Sequence, residues 1–160
     1  MKTKIIMALL FISSLSHAQD KLITKTGTIT FEASVPSFEE VKAKNSGVSC
    51  VLNTKTGEIA SLALLKGFRF KVALMEEHFN ENYVESDKFP KATFKGNITN
   101  MSSINLSKDG TYPATVKGQM TLHGETKEVT APGTITVKGG AITAAKSEFK
   151  LLLSDFKVEI

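Results

Sequence analysis

The stretch EEHFNENYVESDKFPKATFKG, residues 76–96, decides how the rest of the chain is interpreted. It begins with a helix-like pattern, passes through an asparagine-rich turn, and becomes an alternating strand from Lys91 onward. A β domain can be built without such an insertion. A helix and an ordered loop placed directly before a strand therefore indicate a lid, and the strands must show what the lid covers.

The residues just before this stretch predict the lid helix. Phe68, Val72, Met75 and Phe79 are spaced four, three and four residues apart, which makes one apolar stripe of an amphipathic helix. We expect the helix to end near Asn80, because asparagine is a poor residue inside a helix and a common one at its end.

Most of the remaining sequence alternates between apolar and polar residues, as strands with one dry face and one wet face do. The clearest alternation covers residues 28–33, 91–98, 112–122, 128–137 and 145–151. The turns His123-Gly124 and Gly139-Gly140 connect the last of these segments. Long antiparallel strands joined by tight turns predict an all-β fold, an antiparallel barrel of about eight strands. A β-sandwich is the competing architecture.

The dry faces of these strands carry many small residues: Ala33, Ala92, Gly96, Ala114, Gly118, Ala131, Gly133, Ala145 and Ser147. A core that fills itself would have large aliphatic or aromatic side chains at most of these positions. The small residues therefore predict an apolar cavity inside the barrel, large enough for one ligand. The alternative is that they let a neighbouring wall or the helix approach closely.

The first eighteen residues have the pattern of a secretory signal peptide. Lys2 and Lys4 precede an uncharged apolar run at residues 5–12, and Ser-His-Ala at residues 16–18 is a cleavage site of the secretory type. The run is shorter than the roughly twenty apolar residues of a membrane anchor, so no transmembrane segment is expected in the mature chain. We predict cleavage after residue 18, a single domain over residues 19–160, and a periplasmic or secreted location.

Composition excludes some partners. The formal net charge of +4 falls to +2 when the signal, with its two lysines and no acid, is removed. The remaining lysines are interleaved with polar residues, and no basic block of the kind that binds nucleic acid occurs. Cys50 is the only cysteine, so no disulfide forms within the chain; its apolar surroundings favour a buried side chain over a reactive thiol.

No pattern of catalysis or metal binding stands out. After residue 18, the histidines are His78 and His123, and neither has a second metal ligand at helix or hairpin spacing. His123 is interpreted as a surface turn residue and His78 as a hydrogen-bonding residue of the helix or loop. Nucleophile and phosphate-loop motifs are absent from the sequence. We therefore expect neither an enzyme nor a cofactor, and no metal site.

Three blocks of the sequence closely resemble the YceI-like family. They are residues 77–83 (EHFNENY), residues 86–96 (SDKFPKATFKG) and residues 116–127 (VKGQMTLHGETK), and the resemblance spans residues 20–160 in matching order. The resemblance implies an exported, lipocalin-like antiparallel barrel whose interior takes a long isoprenoid or similar amphiphile. It implies no catalytic set and no cofactor.

One departure from the family pattern concerns the last strand. Family members usually continue past the segment SDFKVEI, residues 154–160, into a strand that closes the barrel, and this sequence stops there. A barrel without that strand would expose an edge. This predicts pairing with another chain, such as a homodimer.

These observations together predict a lipid-binding barrel with a polyisoprenoid-type ligand. The predicted tunnel lining is Phe31, Met75, Phe79, Tyr83, Phe94, Gly96, Val116, Gly118, Met120, Val129, Ala131, Ile135, Phe149 and Leu151. Met75, Phe79 and Tyr83 are expected to close one end, and Gly96, Gly118 and Ala131 to keep the tunnel open. Replacing Gly118 with leucine is expected to block ligand uptake and leave the fold intact. The alternative function is an envelope interaction module that pairs through a barrel edge.

Overall fold

The computed structural model describes residues 2–10, 20–33 and 41–159. Within these residues the chain forms nine antiparallel strands: β1 (Lys2–Leu10), β2 (Lys21–Ala33), β3 (Val41–Asn53), β4 (Glu58–Leu64), β5 (Arg69–Phe70), β6 (Lys91–Ile98), β7 (Gly110–Leu122), β8 (Glu125–Lys138) and β9 (Ala141–Leu152). Helix α1 (Ala73–His78) continues into a π-helical turn, Phe79–Tyr83. Short 3-10 turns lie at Leu65–Gly67, Met101–Ser103 and Leu153–Phe156.

The strands close into a ring. In the order of pairing they run β2, β3, β4, β6, β7, β8, β9 and β1, and β1 pairs again with β2. The short β5 pairs with β3 beside β4. The predicted lipocalin-like antiparallel barrel is therefore confirmed, and the β-sandwich is not found.

Strand β1 occupies the position between β2 and β9. Its residue Ile5 is opposite Phe31 of β2 on one side and Phe149 of β9 on the other. The edge that a missing last strand would expose is thus not open in this ring, because β1, whose residues belong to the predicted signal peptide, pairs on both sides. The predicted cleavage site at residues 16–18 lies outside the described residues, so cleavage stays a prediction.

The tight turns follow the prediction. His123 and Gly124, with φ of 53° and 73°, connect β7 to β8, and Gly139 and Gly140, with φ of 61° and 78°, connect β8 to β9. Two consecutive residues with positive φ are typical of the two-residue hairpin turn whose twist matches that of the strands.

The lid helix is shorter than predicted. Helix α1 begins at Ala73, so Phe68 precedes it, following a 3-10 turn, and Val72 is 48% exposed. Phe68 and Phe79 are nevertheless both buried and pack with their ring centroids 5.8 Å apart. The stripe predicted along one helix is therefore not formed, and Phe68 and Phe79 instead contact each other from separate segments of the chain.

Gly96 and Gly118 face each other across the β6–β7 ladder at very close range. A Cβ atom on Gly118 would lie 2.2 Å from the carbonyl oxygen of Lys95, and one on Gly96 would lie 2.3 Å from that of Lys117. These distances are far below van der Waals contact, so the two glycines are required by backbone approach. The expectation that leucine at position 118 would leave the fold intact is therefore wrong.

Two groups of buried residues fill the ends of the barrel. The first lies under the lid and includes Leu65, Phe68, Phe79 and Phe156. The second lies at the opposite end and is formed mainly by aliphatic side chains: Leu52, Ile59, Ile98, Ile104, Ile135, Val137 and Ile142. The space between the two groups is the candidate site.

Candidate functional site

An apolar cavity of about 170 Å³ lies inside the barrel beneath the lid. Ten of the fourteen residues predicted to line a tunnel are on its wall: Phe31, Phe79, Tyr83, Phe94, Val116, Met120, Val129, Ala131, Ile135 and Phe149. Strands β2, β6, β7, β8 and β9 supply eight of them, because alternation turns every second side chain inward. The π-helical turn supplies Phe79 and Tyr83.

Four predicted lining residues lie elsewhere. Met75 borders a separate crevice on the outer surface, beside β3 and β5. Leu151 is buried in the core under the lid and is not on the cavity wall. Gly96 and Gly118 are also not on the cavity wall, because each lies directly against the backbone of the neighbouring strand.

The small residues of the dry face divide between the two interpretations. Seven of the nine line the cavity: Ala33, Ala92, Ala114, Ala131, Gly133, Ala145 and Ser147. The other two are Gly96 and Gly118, which let two strands approach closely, and a Cβ atom on Gly133 would likewise lie 2.5 Å from the carbonyl oxygen of Lys146. The five alanines and Ser147 therefore border open volume at the barrel centre, whereas the three glycines allow close backbone approach.

An aromatic cluster separates the cavity from the outside at the lid end. Phe79 is at its centre, with ring centroids 5.4 Å from Phe31, 5.0 Å from Phe70 and 5.8 Å from Phe68. Aromatic pairs at these separations attract each other beyond simple burial. The lid is thus held to the barrel by ring contacts that also form the end wall of the cavity.

The wall offers little polar chemistry. The hydroxyl-bearing residues of the wall are Ser61, Tyr83, Thr93, Thr134 and Ser147, and Lys146 of the wall is solvent-exposed. Ser147, the inward polar residue that alternation had singled out, donates from Oγ to the carbonyl of Pro132 at 2.7 Å. Across residues 20–33 and 41–159, no group of three or more His, Cys, Asp or Glu side chains is arranged to hold a metal ion.

Cys50 is buried, with 1% of its surface exposed, as its sequence context predicted. Burial raises the pKa of its thiol to about 12, because the thiolate is poorly solvated there. The thiol is therefore protonated and unreactive at neutral pH.

The structure places His123 differently from the prediction. Its backbone is in the turn, but its side chain is only 12% exposed and both ring nitrogens have partners. Nδ1 lies 3.0 Å from the carbonyl oxygen of Phe156, and Nε2 lies 2.7 Å from Oε2 of Glu85. The ring of Phe89 packs edge-on against the imidazole at 4.9 Å. These partners are more than 30 residues away in sequence, so no local pattern marked the site.

Two further features concern the helices of the structure. None of the helices in the described part of the chain is long and apolar enough to cross a membrane. His78 is half-buried on α1 and makes an edge contact with Tyr83, with ring centroids 6.5 Å apart.

Known proteins resemble this chain in fold. A model of the YceI-like domain matches residues 13–160. A polyisoprenoid-binding domain from Saccharophagus degradans, implicated in plant cell wall breakdown, aligns with a TM-score of 0.63 at 12% identity, over 82% of this chain and 96% of its own. The YceI protein of Campylobacter jejuni aligns with a TM-score of 0.58 at 16% identity, over 79% of this chain and 76% of its own. A comparison with curated protein sequences found no match.

Proposed function

The chain belongs to the family of YceI-like domains, and from that premise we propose that it binds a long-chain isoprenoid, or a similar amphiphile, in the barrel cavity. The observation that carries the proposal is the wall of that cavity, which aromatic, aliphatic and small side chains form almost entirely. The structural similarity to a polyisoprenoid-binding domain supports the chemical class of the ligand.

Burial supplies the binding energy in this proposal. Each methylene removed from water contributes about 0.8 kcal/mol, so one five-carbon isoprene unit contributes about 4 kcal/mol before the cost of ordering the chain. A hydrocarbon tail needs a dry wall and no specific hydrogen bonds. The polar head group then lies outside the cavity, because the wall has few polar groups to receive it.

The size of the cavity implies that the lid moves when the ligand enters. At about 170 Å³ it is close to an engineered apolar cavity of about 150 Å³ that takes up benzene, and below the usual 300–1,000 Å³ of pockets for larger ligands. A chain of several isoprene units needs more room. We infer that Phe79 is the movable part of this aromatic cluster, since it belongs to the short π-helical turn, whereas Phe31 and Phe70 lie on strands of the sheet.

We propose a carrier or store of lipid rather than an enzyme. The hydroxyl of Ser147, the inward polar residue on β9, is already bonded to a backbone carbonyl. Cys50 is held as a neutral thiol by its burial. No cofactor is needed for binding of this kind.

Native mass spectrometry of protein purified from its own host tests the binding. We expect a 1:1 complex whose extracted ligand contains a long isoprenoid chain, and affinities for added prenols that increase with chain length. Affinity that does not change with chain length would contradict burial as the source of binding. An empty oligomer from the host would favour the interaction module instead.

Export is the second part of the proposal, and the pattern of residues 1–18 supports it. The protein is expected in the periplasm or the medium, beginning at Gln19. The intact mass of the exported protein tests this directly, because retention of residues 1–18 would keep β1 in the barrel and rule out cleavage at the predicted position.

A further inference from the structure

His123 joins three elements at the lid end of the barrel. It lies in the β7–β8 turn, its Nε2 contacts Glu85 in the loop after the lid helix, and its Nδ1 contacts the carbonyl oxygen of Phe156 in the last 3-10 turn. We call His123, Glu85 and the Phe156 carbonyl the His123 cluster. His123 and Glu85 both have positive φ, of 53° and 48°. The contact between their side chains helps to hold this less common backbone conformation.

Both partners of the ring are hydrogen-bond acceptors. A backbone carbonyl oxygen only accepts, and an ionised carboxylate only accepts. A neutral imidazole carries one N–H, so it donates to one partner and turns a lone pair toward the other. The doubly protonated ring donates to both. The geometry of the His123 cluster therefore fits the charged form of the histidine and loses one hydrogen bond when the ring becomes neutral.

Two members of the His123 cluster directly follow a residue of the cavity wall: Val84 precedes Glu85 and Leu122 precedes His123. The third, Phe156, ends the 3-10 turn that begins at the wall residue Leu153, and the wall residue Val158 lies two positions after it. The cluster is thus connected to the end of the cavity through short stretches of backbone. Phe89, four residues after Glu85, makes an edge contact with the imidazole ring and adds a second contact between His123 and the segment that follows the lid.

We propose that His123 is a positioning residue that holds the lid loop over the loaded cavity when its ring is protonated, so that bound lipid leaves faster when the ring is neutral. This inference rests on the proposed lipid-binding function and adds a control of ligand release. The lid end of the cavity and the cluster lie at the same end of the barrel, since Phe79, Tyr83 and Val84 are on the wall and Glu85 follows them.

The charges around the ring keep their state over the relevant pH range. Glu85 accepts from His123 and also pairs with Lys88 at 3.0 Å, and the hydrogen bond from His123 is the main cause that lowers the pKa of its carboxyl. Glu125, in the next strand, pairs with Lys157 at 2.8 Å, and that hydrogen bond is the main cause that lowers its pKa. Both carboxylates therefore stay ionised above pH 5. Histidine is the side chain that ordinarily changes charge between pH 5 and pH 8.

The test measures release of an apolar dye as a function of pH. The full chain is loaded with N-phenyl-1-naphthylamine and mixed in a stopped-flow instrument with phosphatidylcholine vesicles at pH values from 5 to 9. We expect release to become about tenfold faster as pH rises across this range, which corresponds to about 1.4 kcal/mol.

Three variants separate positioning from a merely structural role. His123→Gln removes the titrating group, so release is expected to be fast at every pH. Glu85→Gln supplies an amide N–H that a neutral ring accepts at Nε2 while Nδ1 donates to Phe156, so release is expected to remain slow at high pH. His78→Gln, on the lid helix but outside the cluster, is the matched control and should keep the pH dependence of the unmodified protein.

Two results would overturn the inference. One is release from the unmodified protein that does not depend on pH while dye binding is intact. The other is fast release from Glu85→Gln at all pH values, as expected if the carboxylate only supports the fold. If the dye binds to no form of the protein at any pH, the proposed lipid-binding function fails as well.

Discussion

Replacing Ala131 with leucine should strengthen the fold and weaken ligand binding at the same time. Ala131 is 1% exposed, lies on β8 opposite Val116, and borders the cavity. A leucine adds three carbons to open space, so the free energy of unfolding should rise by about 0.5–2 kcal/mol, as in other cavity-filling substitutions. The same three carbons displace as many ligand carbons, which removes about 2.4 kcal/mol of burial and weakens binding roughly 50-fold.

The assay combines urea denaturation with a fluorescence titration of N-phenyl-1-naphthylamine. Ala60→Leu is the matched control, because Ala60 lies between the wall residues Ile59 and Ser61 and alternation places it on the outer face. It adds the same three carbons and should leave dye affinity unchanged. Undiminished affinity in a stable Ala131→Leu protein would show that the ligand is bound elsewhere. A loss of stability above about 1 kcal/mol would show that no free space exists at this position.

Other expected outcomes follow from single contacts. Gly118→Ala should lower the free energy of unfolding by more than 2 kcal/mol in urea denaturation, because its Cβ atom would lie 2.2 Å from the carbonyl oxygen of Lys95. Gly110→Ala in the same strand is the control. Its Cβ atom would lie 3.6 Å from the ring of Tyr112, an ordinary contact distance, so its free energy of unfolding should be nearly unchanged. The lowered pKa values of Glu85 and Glu125 stabilise the fold above the unfolded-state pKa, and this contribution should be lost as pH falls through their folded pKa values, below 4.5. Thermal denaturation from pH 7 to pH 3 measures that loss, and a Glu85→Gln/Glu125→Gln protein whose melting temperature falls just as steeply would contradict it. Cys50 should not react with a thiol reagent at pH 8 until the protein is unfolded, since its thiol has a pKa of about 12; rapid labelling of native protein would contradict its burial.

Strands and hairpin turns could be predicted well from the sequence. Alternation fixes which face of β6 to β9 is dry, and Gly124 and Gly140 mark turns that need positive φ. Both signals are local in sequence. They predict the structure correctly because each strand of the closed ring has one face toward the barrel interior and one toward the outside. For this reason, the cavity wall contains eight strand residues that alternation predicted to line the tunnel.

The features that the sequence did not reveal depend on which segments meet in space. A small residue on a dry face has the same pattern whether it borders a void, as Ala131 does, or a neighbouring backbone, as Gly118 does. His123 finds its partners 33 and 38 residues away, so its spacing in the sequence carried no information. Met75 was assigned to the tunnel by helical spacing, but α1 is too short to extend the stripe, and its side chain borders an outer crevice instead.

The place of β1 between β2 and β9 has a consequence for the time course of synthesis. Lys2 pairs with Leu152, so the ring cannot close until 150 further residues have been made. At about 5–20 residues per second, the first strand waits roughly 8–30 s for its partner. Throughout that interval the apolar residues 5–10 of β1 are unpaired on their β9 side. The order of synthesis therefore leaves this segment open to other contacts on that side before the barrel can enclose it.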